Sequence, residues 1–106
     1  MAINEKNGDL IIKCKLLPAI VTVEDCRKFY KIFFEQKLYD ANYGDEDHKD
    51  YREKPIEDLT LKEVLTSFTI IQREDHWESF NDSVFERYIQ DKIFEKLYNR
   101  LQEFCK

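Results

Sequence analysis

The side chains best equipped for chemistry fall in one run, Arg73-Glu74-Asp75-His76-Trp77. A histidine beside two carboxylates and an arginine can do general acid–base work. Neighbouring charges move its titration across neutral pH. The same residues equally suit a structural helix end. Trp77 would pack inward, His76 would complement the negative end of the helix dipole, and Arg73 would pair with Asp75.

A second concentration of charge is Asp45-Glu46-Asp47-His48-Lys49-Asp50, just after Gly44. Alternating carboxylates can ligate a hard cation, which takes several oxygen ligands. The run lacks the sixth-position glycine and closing glutamate of an EF-hand loop, so it reads as a solvated loop able to steer a basic partner. His48, His76 and a cysteine share no spacing that announces a transition-metal site. There is no G-x-S-x-G elbow and no cysteine next to a histidine. With only Gly8 and Gly44, glycine-rich phosphate loops are absent. No cofactor is expected, and no residue is assigned a catalytic or metal-ligating role.

Tyr39, Tyr43 and Tyr51 punctuate the acidic segment, where no helical stripe demands them. Tyrosine joins a large contact area to a polar tip and is favoured at interfaces. The candidate binding residues are therefore Tyr43, Asp45, Glu46, Asp47, Asp50 and Tyr51. Arg73, Asp75, His76 and Trp77 complete the set.

Helices must position these residues. Thr22 is a good N-cap with Asp25 three residues on. Cys26, Phe29, Tyr30 and Phe33 then follow the i, i+3, i+4, i+7 rule, predicting a helix over 23–38. Ile32 and Phe34 lie off that stripe. Thr60 and Glu63 form a capping box. Leu61, Val64, Leu65, Phe68 and Ile71 follow as a helical stripe running to about Glu74. Beyond Asn81 and Asp82, both good caps, come Val84, Phe85, Tyr88 and Ile89, then Ile93, Phe94, Leu97, Tyr98, Leu101 and Phe104. These make one helix or two broken near Asp91-Lys92. At the other end, Ile12, Cys14 and Leu16 alternate with Lys13 and Lys15, which suits a short half-buried strand. Residues 39–59 are the long acidic loop, and residues 1–8 are expected to be flexible.

The chain has 106 residues, which makes one domain over 1–106. Its net charge is −5, and no run of lysine and arginine offers a phosphate-binding face. Direct nucleic-acid binding is not expected. Cys14, Cys26 and Cys105 are odd in number and show no C-x-x-C spacing, arguing against a disulfide framework and excluding a zinc knuckle. No apolar stretch reaches transmembrane length and the N-terminus lacks a signal-peptide core, so the chain reads as cytoplasmic with no membrane partner.

The stretch Phe68-Thr69-Ile70-Ile71-Gln72-Arg73-Glu74-Asp75-His76-Trp77 resembles a helix end of the pattern L-T-x-x-x-R-x-E-R-F. That pattern belongs to a small bacterial domain-of-unknown-function family, family 6508, which Leu61 to Leu101 resembles. Thr69, Arg73, Asp75 and Trp77 fall in register, while Phe68 replaces leucine and His76 replaces arginine. Ile89 to Leu101 resembles the last helix of the family, with Lys92 where a glycine commonly precedes it. A few extra residues lie between Glu78 and Ser83. Pro18 to Leu38 looks like the proline, short strand and following helix of the family. The resemblance implies a bacterial or phage protein and carries no activity.

The expected fold is mainly α, a compact bundle of about four helices with a short N-terminal β-hairpin or extended arm, the alternative being α+β. The expected function is a non-enzymatic, inhibitor-like module docking a basic protein surface, such as that of a nucleic-acid-handling enzyme, through the acidic loop. Two alternatives stand beside it: a small enzyme or ligand-binding domain using Arg73, Asp75 and His76, and a homodimeric structural subunit.

Overall fold

A computed structural model describes residues 11–39, 49–77 and 83–105. Among the described residues, four α-helices of eight residues or more carry the fold: α1 Val23–Glu35, α2 Leu61–Trp77, α3 Ser83–Gln90 and α4 Ile93–Phe104. A 3₁₀ turn, Ile56–Asp58, precedes α2.

Two reciprocal caps start the long helices. The Asp25 N–H donates to Thr22 Oγ1 at 3.2 Å, and Asp25 Oδ2 accepts from the Thr22 N–H at 3.1 Å. Thr60 and Glu63 repeat the arrangement at 2.9 and 3.2 Å. Each box satisfies two amides that the helix leaves without a partner. The stripe of α1 points inward as its spacing requires: Cys26, Phe29, Tyr30 and Phe33 are buried. Ile32 packs against the same core from its edge, and Phe34 remains partly exposed.

Helix α1 ends at Glu35, short of the expected Leu38. The Leu38 N–H reaches back to the Phe33 carbonyl (3.0 Å) and the Lys37 N–H to the Phe34 carbonyl (3.1 Å). This is a Schellman closure, with Lys37 at φ 56° where glycine is usual. Lys92, at φ 61°, makes the second left-handed break and separates α3 from α4. Residues 83–104 are thus two helices, and the contact between α3 and α4 folds the pair together.

Helix α2 is the axle of the bundle. Its faces are covered by α1, α3, α4 and the 49–59 segment, and every residue from Val64 to Ile71 is buried. That includes Thr66, Ser67 and Thr69, whose hydroxyls donate to the carbonyls of Lys62, Glu63 and Leu65, each at 2.9 Å. The back-bonding lets small polar residues face the core without an unmade hydrogen bond. Aromatic rings fill the space between helices. Phe29 lies 4.7 Å from Phe68, Tyr30 stacks on Phe85 at 5.4 Å, and Phe68 stacks on Phe94 at 6.2 Å.

The expected N-terminal strand is not formed; no strand occurs among the described residues. Residues 11–14 are helical, and the Lys15 N–H donates to the Ile11 carbonyl at 3.1 Å. The alternation of Ile12, Cys14 and Leu16 misled because only Cys14 is buried, while Ile12 and Leu16 face outward. The true inward set is Ile11, Cys14 and Leu17, three apart, which is helical spacing. The chain is therefore mainly α, without the hairpin or the α+β alternative in these residues. No helix among the described residues is long and apolar enough to cross a membrane.

Candidate functional site

Glu74 and Asp75 are adjacent on α2, so their side chains leave the helix about 100° apart and meet different neighbours. Asp75 turns to α1. Its two oxygens accept from Arg27 at 2.9 and 3.4 Å, and it is buried. The Arg27 guanidinium also lies 4.5 Å above the Phe85 ring, so one cation joins α1, α2 and α3. Asp75 thus finds a partner 48 positions away in sequence.

Glu74 turns to α3. The Tyr88 hydroxyl donates to its carboxylate, at 2.9 and 2.8 Å from the two oxygens. Arg87 Nη2 approaches the same carboxylate at 3.7 Å. The Tyr51 hydroxyl makes a short contact with the Tyr88 hydroxyl. Each phenol has one proton and an ionised carboxylate only accepts. The direction of the chain follows: Tyr51 donates to Tyr88, and Tyr88 donates to Glu74. Burial first, then the bonds to Tyr51 and Glu74, push the Tyr88 hydroxyl far above its ordinary value. Burial likewise raises Tyr51.

Asp50 and Tyr51 belong to this interior rather than to an open acidic surface. Asp50 is 1% exposed. Its oxygens accept from the Arg52 N–H, Nε and Nη2 at 2.8 to 2.9 Å. Burial would raise its carboxyl, but the Arg52 bonds outweigh that and hold it low. The Tyr51 N–H donates to Ser67 Oγ at 3.0 Å, tying the segment to the middle of α2.

Tyr43, Asp45, Glu46 and Asp47 lie outside the described residues, as does His48. Arg73 is half-buried on α2, His76 is exposed, and Trp77 is described only as the last residue of the helix. The structure therefore joins Tyr51 to Glu74, Tyr88 and Ser67, and Asp75 to Arg27. Sequence reasoning named neither Arg27 nor Tyr88 as a partner. Their only signal was an arginine and a tyrosine on helix faces turned towards the core. No group of three or more His, Cys, Asp or Glu side chains gathers to hold a metal among the described residues.

A groove of about 410 Å³ lies elsewhere, between residues 19–21 and the start of α4. Ile20, Ile89 and Phe94 line it, Lys92 and Glu95 bring opposite charges to it, and the exposed Val21 borders it. The Tyr98 hydroxyl, on the same lining, donates to the Leu17 carbonyl at 3.1 Å and fixes the segment beside α4. Sequence reasoning missed this groove because its lining joins residues 19–21 to residues 89–99, which are far apart in the chain. Compared with known proteins, the chain matches no family model, no curated protein and no solved structure.

Proposed function

We propose that this chain is a protein-binding module without catalysis of its own, docking a basic partner surface. The observation that carries the reading is the groove beside α4. It offers an apolar lining, charges of both signs and an exposed valine, which suits one anchoring side chain of a partner. The carboxylates best placed for chemistry support the same reading from the other side. Asp50, Glu74 and Asp75 all accept hydrogen bonds from side chains of this chain. Asp45, Glu46 and Asp47 would add long-range attraction, which raises the rate of encounter with a basic surface more than the final affinity, and Tyr43 would add contact area. An enzyme that handles nucleic acid presents such a surface.

The test immobilises the full chain and measures retention of host proteins at low salt and at about 0.5 M salt, where surface charges are screened. Val21→Glu, at an exposed position, is expected to cut retention about tenfold with an unchanged melting temperature. Neutralising Asp45, Glu46 and Asp47 together should slow capture at low salt only. If nothing is retained at low salt, the reading fails; full retention by the Val21 variant removes the groove from it.

A homodimer is the second reading. It is favoured by Phe34 and Tyr39, whose rings touch at 5.7 Å while both stay partly exposed. Sedimentation at two concentrations decides it: a monomer at both ends this reading.

A further inference from the structure

Three cysteines are buried, and two of them come from opposite ends of the described chain. The N-terminal turn is anchored on α4 at both of its ends. Cys105 Sγ lies 3.9 Å from the Ile11 carbonyl, and the Tyr98 hydroxyl holds the Leu17 carbonyl. Tyr98, Leu101 and Cys105 are three and seven residues apart, one stripe of α4 and its cap. Cys14 sits between the two anchors, fully enclosed. The Ile11 carbonyl that Cys105 Sγ reaches lies three residues before Cys14 on the same helical turn, so both thiols face one corner of the core. Cys26 lies on α1, four residues before Tyr30.

We propose that Cys14 and Cys105 are a reversible dithiol–disulfide pair that links the N-terminal turn to the end of α4. The co-reactant is a low-molecular-weight disulfide such as glutathione disulfide. Cys105, the less enclosed of the two, attacks first as its thiolate. A bond forms from its sulfur to one glutathione, and the other glutathione leaves as a thiol. Cys14, deprotonated in turn, attacks the Cys105 sulfur and expels the second glutathione. Two protein thiols lose two hydrogens in total, and one glutathione disulfide becomes two glutathione thiols. Burial and the neighbouring sulfur push the Cys14 thiol up to about 12, and burial raises Cys105. The exchange is therefore slow at neutral pH and quickens in mild alkali. Local opening of the turn that carries Cys105, short of global unfolding, admits the reagent.

The test uses the native full chain with excess glutathione disulfide at about pH 8.5, the ordinary thiol value. The expected product has lost two hydrogens in mass, and digestion without reductant yields one fragment joining the peptides of Cys14 and Cys105. Dithiothreitol reverses it. The linked form melts higher by roughly 10 °C, because the bond closes nearly the whole chain into a loop. Cys26→Ser should close as readily, whereas Cys14→Ser should stop at a glutathione adduct on Cys105. A lasting adduct on the natural chain, a link through Cys26, thiols that react only in denaturant, or an unchanged melting temperature of the linked form each overturns the proposal.

Discussion

Arg27 and Asp75 meet across 48 positions of sequence, with the carboxylate enclosed and the guanidinium side chain 39% exposed. Breaking a fully buried pair by removing one partner costs about 3–5 kcal/mol, because a charge is left in a poor solvent. Water reaches Arg27, so the expected cost of Arg27→Ala is lower, about 2 kcal/mol. Urea unfolding measures it. Arg27→Ala with Asp75→Leu should recover part of the loss, since the double variant buries no lone carboxylate. A double variant weaker than both single ones counts against this account.

The tyrosine chain predicts an order of effects. Tyr88→Phe removes the donor to Glu74 and the acceptor of Tyr51 together, and should cost about 2 kcal/mol. Tyr51→Phe leaves the Tyr88–Glu74 bond in place and should cost about 1 kcal/mol. Equal losses in the two variants would contradict the direction of donation derived above.

Acid sensitivity follows from three carboxyls held below their ordinary values. Asp25 is lowered by the N–H groups of Thr22 and Val21. Asp50 and Glu63 are lowered because Arg52, and Lys54 with Thr60, overcome the effect of burial. Each binds its proton more weakly folded than unfolded. Their stabilisation is complete above the ordinary values of 3.8 and 4.5 and disappears as pH falls through the lower folded ones. The melting temperature should hold level above about pH 5 and decline below about pH 4.5. Arg52→Ala should bring the decline to higher pH.

At the alkaline end the sign reverses. Burial raises Tyr30, Tyr51, Tyr88 and Tyr98 above the ordinary 10.0. The unfolded chain loses these protons first, so stability is full below pH 10 and falls as pH climbs towards the folded values. Phenolate absorbance should rise for these four together with unfolding, and a separate gradual titration would refute the enclosed hydroxyl chain.

Lys92→Gly should stabilise the fold by about 0.5–1 kcal/mol, since a left-handed backbone costs a lysine and not a glycine. Lys92→Ala separates the two possible causes. It removes the same charge while keeping the strain, and should not stabilise.

How much of this was legible depended on whether the deciding partner was near in sequence. Both capping boxes were readable because Thr22–Asp25 and Thr60–Glu63 act three residues apart. The stripes of α1, α2 and α4 were readable because burial repeats with the helical period. The end of α1 was misplaced because lysine, not glycine, sits in the left-handed position of its closure. The N-terminal turn was misread as a strand because Ile12 and Leu16 are apolar yet exposed. At the candidate site, Asp75 and Tyr51 were picked out by type, but Arg27 and Tyr88 become their neighbours only after α1 and α3 close around α2. Thr66, Ser67 and Thr69 lie off the apolar stripe of α2, and their hydroxyl back-bonding accounts for their burial.

Enclosure of the middle of α2 on all sides also makes it a clock. The amides of Phe68 to Ile71 have no outer surface from which to fray, so they trade hydrogen for deuterium only when the entire molecule opens. Their exchange rate reads the global free energy directly, and a ligand seated at any outer face would slow all of them by one common factor.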